Sequence, residues 1–212
     1  MFAKAHRWTD SIITVTVAAW IAALLLVQTV DLPLVGGFIP GRLNGDFTMV
    51  SAVPAWLTPL SSTLLHDGVL HLGFNMLMLI WCGRQVEPAL GGPLLLLAYV
   101  IGAYSAAIGQ WALGPHETIP TIGASGAIST IIGIYALVFS EQKVRPIGPI
   151  PANIVRVLWL ALAWVGIQAL IGLGYGVGGQ GIAIGAHIGG FVAGLLLARP
   201  LLRIRFRHSQ RH

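Results

Sequence analysis

The chain has 212 residues, of which 56% are hydrophobic and only 9% charged. A soluble domain carries about 25% charged residues, so this composition excludes a water-soluble globule and marks an integral membrane protein, one domain over 1–212. The net charge of +5 does not indicate a nucleic-acid binder, because the basic residues gather at the ends of apolar runs instead of forming a face.

Six apolar stretches follow one another at approximately 11–30, 68–83, 94–113, 124–140, 154–173 and 182–202. A spanning helix needs about 20 residues, within a range of about 17–25. The first stretch follows Lys4 and Arg7 and reads as a retained signal anchor, being longer than a signal-peptide core and lacking a cleavage site before Asp31. Asp31-Leu32-Pro33 ends it. The segment 31–62 then carries Phe38, Phe47, Trp56 and Leu57 without a span, which fits either a loop lying partly in the membrane interface or a small packed lid. Gly91-Gly92-Pro93 separates the second stretch from the third, Gly114-Pro115-His116 ends the third, and Pro120 precedes the fourth. Pro146, Pro149 and Pro151 follow the fourth, and the glycine-rich segment 172–181 separates the fifth from the sixth.

With the N-terminus in the cytoplasm, eleven of the twelve Lys and Arg residues fall on the inner side and only Arg42 lies outside. This bias favours six spans with both termini cytoplasmic. Arg203, Arg205, Arg207 and Arg211 then form a tail suited to anionic lipid. In this topology the second, fourth and sixth helices start on the outer side and run inward. His71, Ser125 and His187 all sit within the first turns of these helices and so share one depth. The fourth stretch is too short, at 1.5 Å per residue, to cross a core of about 30 Å. Its head must therefore begin below the outer surface. Irregular backbone at that depth is tolerated only inside protein or along a wet cavity, so a sunken pocket is expected with Ser125 at its floor.

Small residues allow these helices to close. Ser125, Ser129 and Gly133 form one line, Gly181, Gly185 and Gly189 a second, and Gly190 and Gly194 a third, with His187 between the last two. Close approach of the fourth and sixth helices can bring the His187 imidazole to the Ser125 hydroxyl. Serine needs an adjacent base to act as a nucleophile, and histidine is the usual one. None of Asp10, Asp31, Asp46, Asp67, Glu87, Glu117 and Glu141 lies in the sixth helix, so the expected unit is a Ser125–His187 dyad without a carboxylate. His71 and Asn75, at i and i+4, share one helix face and can donate to an oxyanion, together with the backbone N–H groups of Ser125 and Ala124.

Each feature alone has a blander reading. Asn75 can be interhelical glue, His187 can be packing, and Gly123-Ala124-Ser125-Gly126 can be a tight helix junction. Their coincidence at one depth favours a hydrolase site, active or ancestral. His66 and Asp67 read as caps of the second helix, Glu87 as a cytoplasmic helix-end residue and Cys82 as packing. As the single cysteine, Cys82 forms no internal disulfide.

Gly-x-Ser-Gly at 123–126, His-x-x-x-Asn at 71–75 and Ala-His-x-x-Gly at 186–190, in this arrangement on six spans, resemble the rhomboid family of intramembrane serine proteases. The resemblance runs from about 11 to 202. It implies an all-α, six-transmembrane bundle with a short central fourth helix and a membrane-embedded first loop. It further implies Ser125 as nucleophile, His187 as base, and His71, Asn75 and the Ser125 amide as oxyanion hole. The substrates implied are transmembrane helices of other proteins, cut near their outer end, with access past the fifth helix and the 172–181 loop. No cofactor or metal is expected. Two departures stand out. Pro40-Gly41-Arg42 replaces the first-loop Trp-Arg pair common in the family, and Ser129 occupies the position of a frequent tyrosine that packs on the catalytic histidine.

The alternative function is a catalytically inactive rhomboid-like binder of membrane proteins, although both reacting residues remain. A channel would spread its polar residues along a path, a zinc protease would carry His-Glu-x-x-His, and an aspartyl intramembrane protease would bury acids. The short loops, with no targeting presequence, fit a bacterial plasma membrane.

Overall fold

A computed structural model describes residues 6–26, 29–139, 145–174 and 183–209. Lys4, Lys143, Gly181, Arg211 and the segment from 175 to 182 lie outside the described residues. Among the described residues the regular structure is helical, with β-type pairing only at two isolated bridges, Phe38 with Thr121 and Ile147 with Ile150.

Helix α1 spans Arg7–Leu26. It begins inside the chain's own structure: the Glu87 carboxylate accepts the backbone N–H of Trp8 and Thr9 at 3.1 and 2.9 Å and the Thr9 hydroxyl at 2.6 Å. A carboxylate at a helix N-terminus satisfies orphan donors and complements the dipole. Glu87, expected as a plain helix-end residue, is therefore a buried cap for another helix.

The segment after α1 breaks into three short helices, α2 (Leu32–Gly36), α3 (Pro40–Asn44) and α4 (Thr58–Ser61), each with Pro in its first turn. It is in part a packed lid, since Phe38 and Ile39 are fully buried. Trp56, by contrast, is exposed. The lid is tied to the loop before Ser125 without a Trp-Arg pair. Phe38 and Thr121 exchange backbone hydrogen bonds at 2.9 and 2.7 Å, Gly41 N–H donates to Glu117 O, and Asn44 Nδ2 donates to Pro115 O. Arg42 donates to Val53 O within the lid.

Helix α5 (Gly68–Met78) continues through one wide turn at Leu79–Gly83 into α6 (Arg84–Leu90). Pro88 sits inside α6, and the run extends past the expected end at 83. The wide turn carries the buried Cys82, and Gly83 there gives α1 room, since a Cβ would lie 2.9 Å from Thr9 Cγ2. Helices α7 (Gly92–Leu113), α8 (Ser125–Val138), α9 (Ala152–Gly174) and α10 (Ile184–Ser209) complete the chain.

The short α8 is the axis of the molecule: every residue from Ser125 to Ala136 is buried. The small-residue lines serve two neighbours. A Cβ on Gly190 would lie 2.0 Å from Gly126 O, and one on Gly194 2.2 Å from Thr130 O, so this line packs α10 on α8. A Cβ on Gly185 or Gly189 would instead strike Gly109 or Ser105 of α7. Helix α10 is thus wedged between α7 and α8, and His187 lies on the edge shared by the two faces.

Large apolar side chains point outward along the helices, among them Val15, Leu25, Ile108, Trp159 and Leu196. Such faces require lipid. Helices α1, α7 and α10 are long and apolar enough to cross a membrane, and the stretch Ala55–Leu64 with Gly68–Leu90, bent by 91°, is a fourth candidate. The protein is an integral membrane protein.

Candidate active site

The site is assembled around the backbone entering α8. Gly123 has φ +114°, a conformation that favours glycine, and a Cβ there would lie 2.6 Å from His71 Nε2. Gly123 N–H donates to Ser62 O at 2.9 Å, which fixes the turn against the lid. The next residues start the helix, placing Ser125 at its first position with its N–H among the four that have no helical partner.

Ser125 Oγ and His187 Nε2 are 2.8 Å apart, and both side chains are buried. His187 reaches this position because Gly190 and Gly194 let α10 touch α8 one turn further along. Its neighbour Ala186 donates its N–H to Gln110 Oε1 at 3.3 Å, and Gln110 Nε2 donates to the Glu117 carboxylate at 2.9 Å, so the head of α10 is pinned to α7. Among the described residues His187 Nδ1 has no hydrogen-bond partner, from a carboxylate or any other group.

His71 and Asn75 stand on the neighbouring face of α5. Asp67 N–H donates to His71 Nδ1 at 3.3 Å, so a neutral His71 carries its proton on Nε2, the atom that faces Gly123. Asn75 is fully buried, and its Nδ2 donates to His71 O at 2.9 Å, leaving the second N–H of that amide. A small cavity of about 20 Å³ reaches Ser125 between the lid residues Phe38 and Ser62 and the small residues Ala106 and Gly126, enough for a single water.

The structure brings together Ser125, His187 and His71, and holds Asn75 one turn after His71 on α5. It corrects the expectations for His66, Asp67 and Ala124. Asp67 stands at the N-cap of α5 but its side chain makes no capping bond. The His66 ring does not cap α5 either: its Nε2 accepts the Ala124 N–H at 3.3 Å. The Ala124 amide is therefore committed and does not point freely at the pocket. A second residue escaped the sequence reading altogether. Trp164 of α9 donates its indole N–H to Ser129 Oγ at 2.6 Å, and its ring meets that of His187 edge-on at 6.1 Å between centroids. Nothing in the pattern of α9 marks this tryptophan, because Trp is ordinary in a membrane helix.

Residues 54–204 match the family model of the rhomboid domain. The chain belongs to the rhomboid family. Among its relatives is the rhomboid protease GluP of Bacillus subtilis, 30% identical over 146 residues, or 69% of this chain and 26% of that protein. The rhomboid protease GlpG of Pectobacterium atrosepticum is 30% identical over 141 residues, 65% of this chain and 46% of the relative. RHOMBOID-like protein 4 of Arabidopsis thaliana is 33% identical over 144 residues, 68% and 33% respectively. The chain thus spans less than half the length of each of these three rhomboid relatives. The matched region holds Ser125, His187, His71, Asn75, His66 and Trp164, but neither the first helix nor the lid residue Phe38.

Proposed function

We propose that this rhomboid is an intramembrane serine endopeptidase that cuts transmembrane segments of other membrane proteins with a Ser125–His187 dyad. The buried 2.8 Å contact between a serine hydroxyl and an imidazole, in a membrane protein, is the observation that carries the reading. The names of the relatives GluP and GlpG, both rhomboid proteases, support it.

In the proposed cycle His187 Nε2 takes the proton of Ser125 as Oγ attacks the scissile carbonyl. The negative charge gathering on the carbonyl oxygen is met by Ser125 N–H, His71 Nε2–H and the free N–H of Asn75. His187 then gives its proton to the leaving amine and the peptide bond breaks. A water activated by the same imidazole hydrolyses the acyl-enzyme and frees Ser125. With no acid beside Nδ1 among the described residues, packing is what orients the dyad in this reading.

The proposed topology has six spans, adding the bent α5–α6 unit, the short α8 and α9 to the three long helices, with both termini cytoplasmic and the site nearer the outer face. The bacterial plasma membrane is the proposed location. Substrate helices would enter past α9.

The test is co-reconstitution with a panel of single-span helices. The protease reading expects two fragments cut in the outer part of the span. An inactive binder would instead co-purify with intact substrate, and that result would refute the reading.

A further inference from the structure

The imidazole of a dyad must be held by something other than a carboxylate. Here the surroundings of His187 form a closed ring of contacts. Trp164 Nε1–H donates to Ser129 Oγ at 2.6 Å, and Ser129 Oγ–H donates to Ser125 O at 2.8 Å. The Trp164 ring meets His187 at an interplanar angle of 71°, and His187 Nε2 returns to Ser125 Oγ at 2.8 Å. Edge-to-face aromatic pairs with centroids about 4.5–7 Å apart are attractive and directional. Ser129, Trp164 and His187 are all buried at 4% exposure or less, so none can relax into solvent.

Each link fixes the next. Ser129 lies one turn after Ser125, so its hydroxyl is referenced to the backbone of the nucleophile. The indole is referenced to that hydroxyl, and the imidazole to the indole. Loss of Trp164 leaves His187 free to turn about its ring axis, because its Nδ1 has no partner among the described residues.

We propose that Trp164, latched to Ser129, is the positioning residue that orients His187 toward Ser125. This rests on the Ser–His reading of the site. It also couples the docking of α9, which carries Trp164, to the competence of a pair located on α8 and α10.

A small fluorophosphonate tests the proposal, because its reaction requires the Ser125–His187 pair but no entry of a substrate helix. Labelling rates, kcat and KM are measured for the wild type, Trp164→Ala, Trp164→Phe and Ser129→Ala, with the folded fraction of each. A misplacement on the order of 1 Å can cost about 10²-fold in rate. Trp164→Ala is expected to label and to turn over about 10- to 100-fold more slowly at a KM within about twofold of wild type. Trp164→Phe, which keeps an aromatic ring but not the N–H, and Ser129→Ala are expected to fall in between. Wild-type labelling by Trp164→Ala and Trp164→Phe overturns the proposal. So does labelling that declines only with the folded fraction, or a change in KM alone. A wild type that never labels on Ser125 overturns the Ser–His reading itself.

Discussion

Polar atoms in this chain are sparse, and each of Ser125, His187, His71 and His66 makes a distinct hydrogen bond. That is why single substitutions should separate roles. Losing one oxyanion donor typically costs about 10²–10³ in rate, and Asn75→Ala is expected to lower kcat on that scale with little change in KM, measured with a cleaved single-span substrate. Gly123→Ala forces a Cβ against His71 Nε2 at a φ of +114°, so it is expected to lower activity at least as far and to lower the unfolding midpoint as well. The candidate site residues were legible in the sequence because a serine, two histidines and an asparagine are costly in an apolar run and need a reason to be there. His66 and Trp164 were not. Their partners Ala124 and Ser129 lie 58 and 35 residues away, and only the rotation of helices about their own axes brings them together.

Helices in lipid associate through close packing, and here glycine sets the distance. The lines at 185–189 and 190–194 could be read directly from spacing. That they address two different helices could not, since a small-residue line does not name its partner. Gly190→Val is expected to push α10 off α8, where Gly126 O leaves no room for a Cβ, and to abolish both Ser125 labelling and a monodisperse fold in detergent. Glu87→Gln keeps the shape of the side chain but removes the charge that holds the first turn of α1. Hydrogen bonds to charged groups contribute about 1.5–3 kcal/mol, so unfolding is expected to become easier by about that amount, while the folded fraction keeps its kcat. The role of Glu87 was hidden in sequence because its partners are backbone N–H groups 78 and 79 residues upstream.

On the scale of the molecule, composition and charge bias were enough to place the chain in a membrane and to propose its orientation. The first loop was harder, since a segment that is half packed lid and half exposed surface has no single periodicity. Orientation is open to a direct check. In a Cys82→Ala background, Val50→Cys in the exposed segment between α3 and α4 is expected to react with a membrane-impermeant maleimide on intact cells, and Phe206→Cys near the C-terminal end of α10 only after the cells are opened. The central claim is that Ser125 and His187 together break a peptide bond within the bilayer. The most direct measurement is the initial rate of cleavage of a single-span substrate in liposomes by wild type, Ser125→Ala and His187→Ala. Wild type is expected to cleave, and each variant to lose at least about 10³-fold, as for other serine–histidine pairs. Cleavage at the wild-type rate by either variant would contradict it.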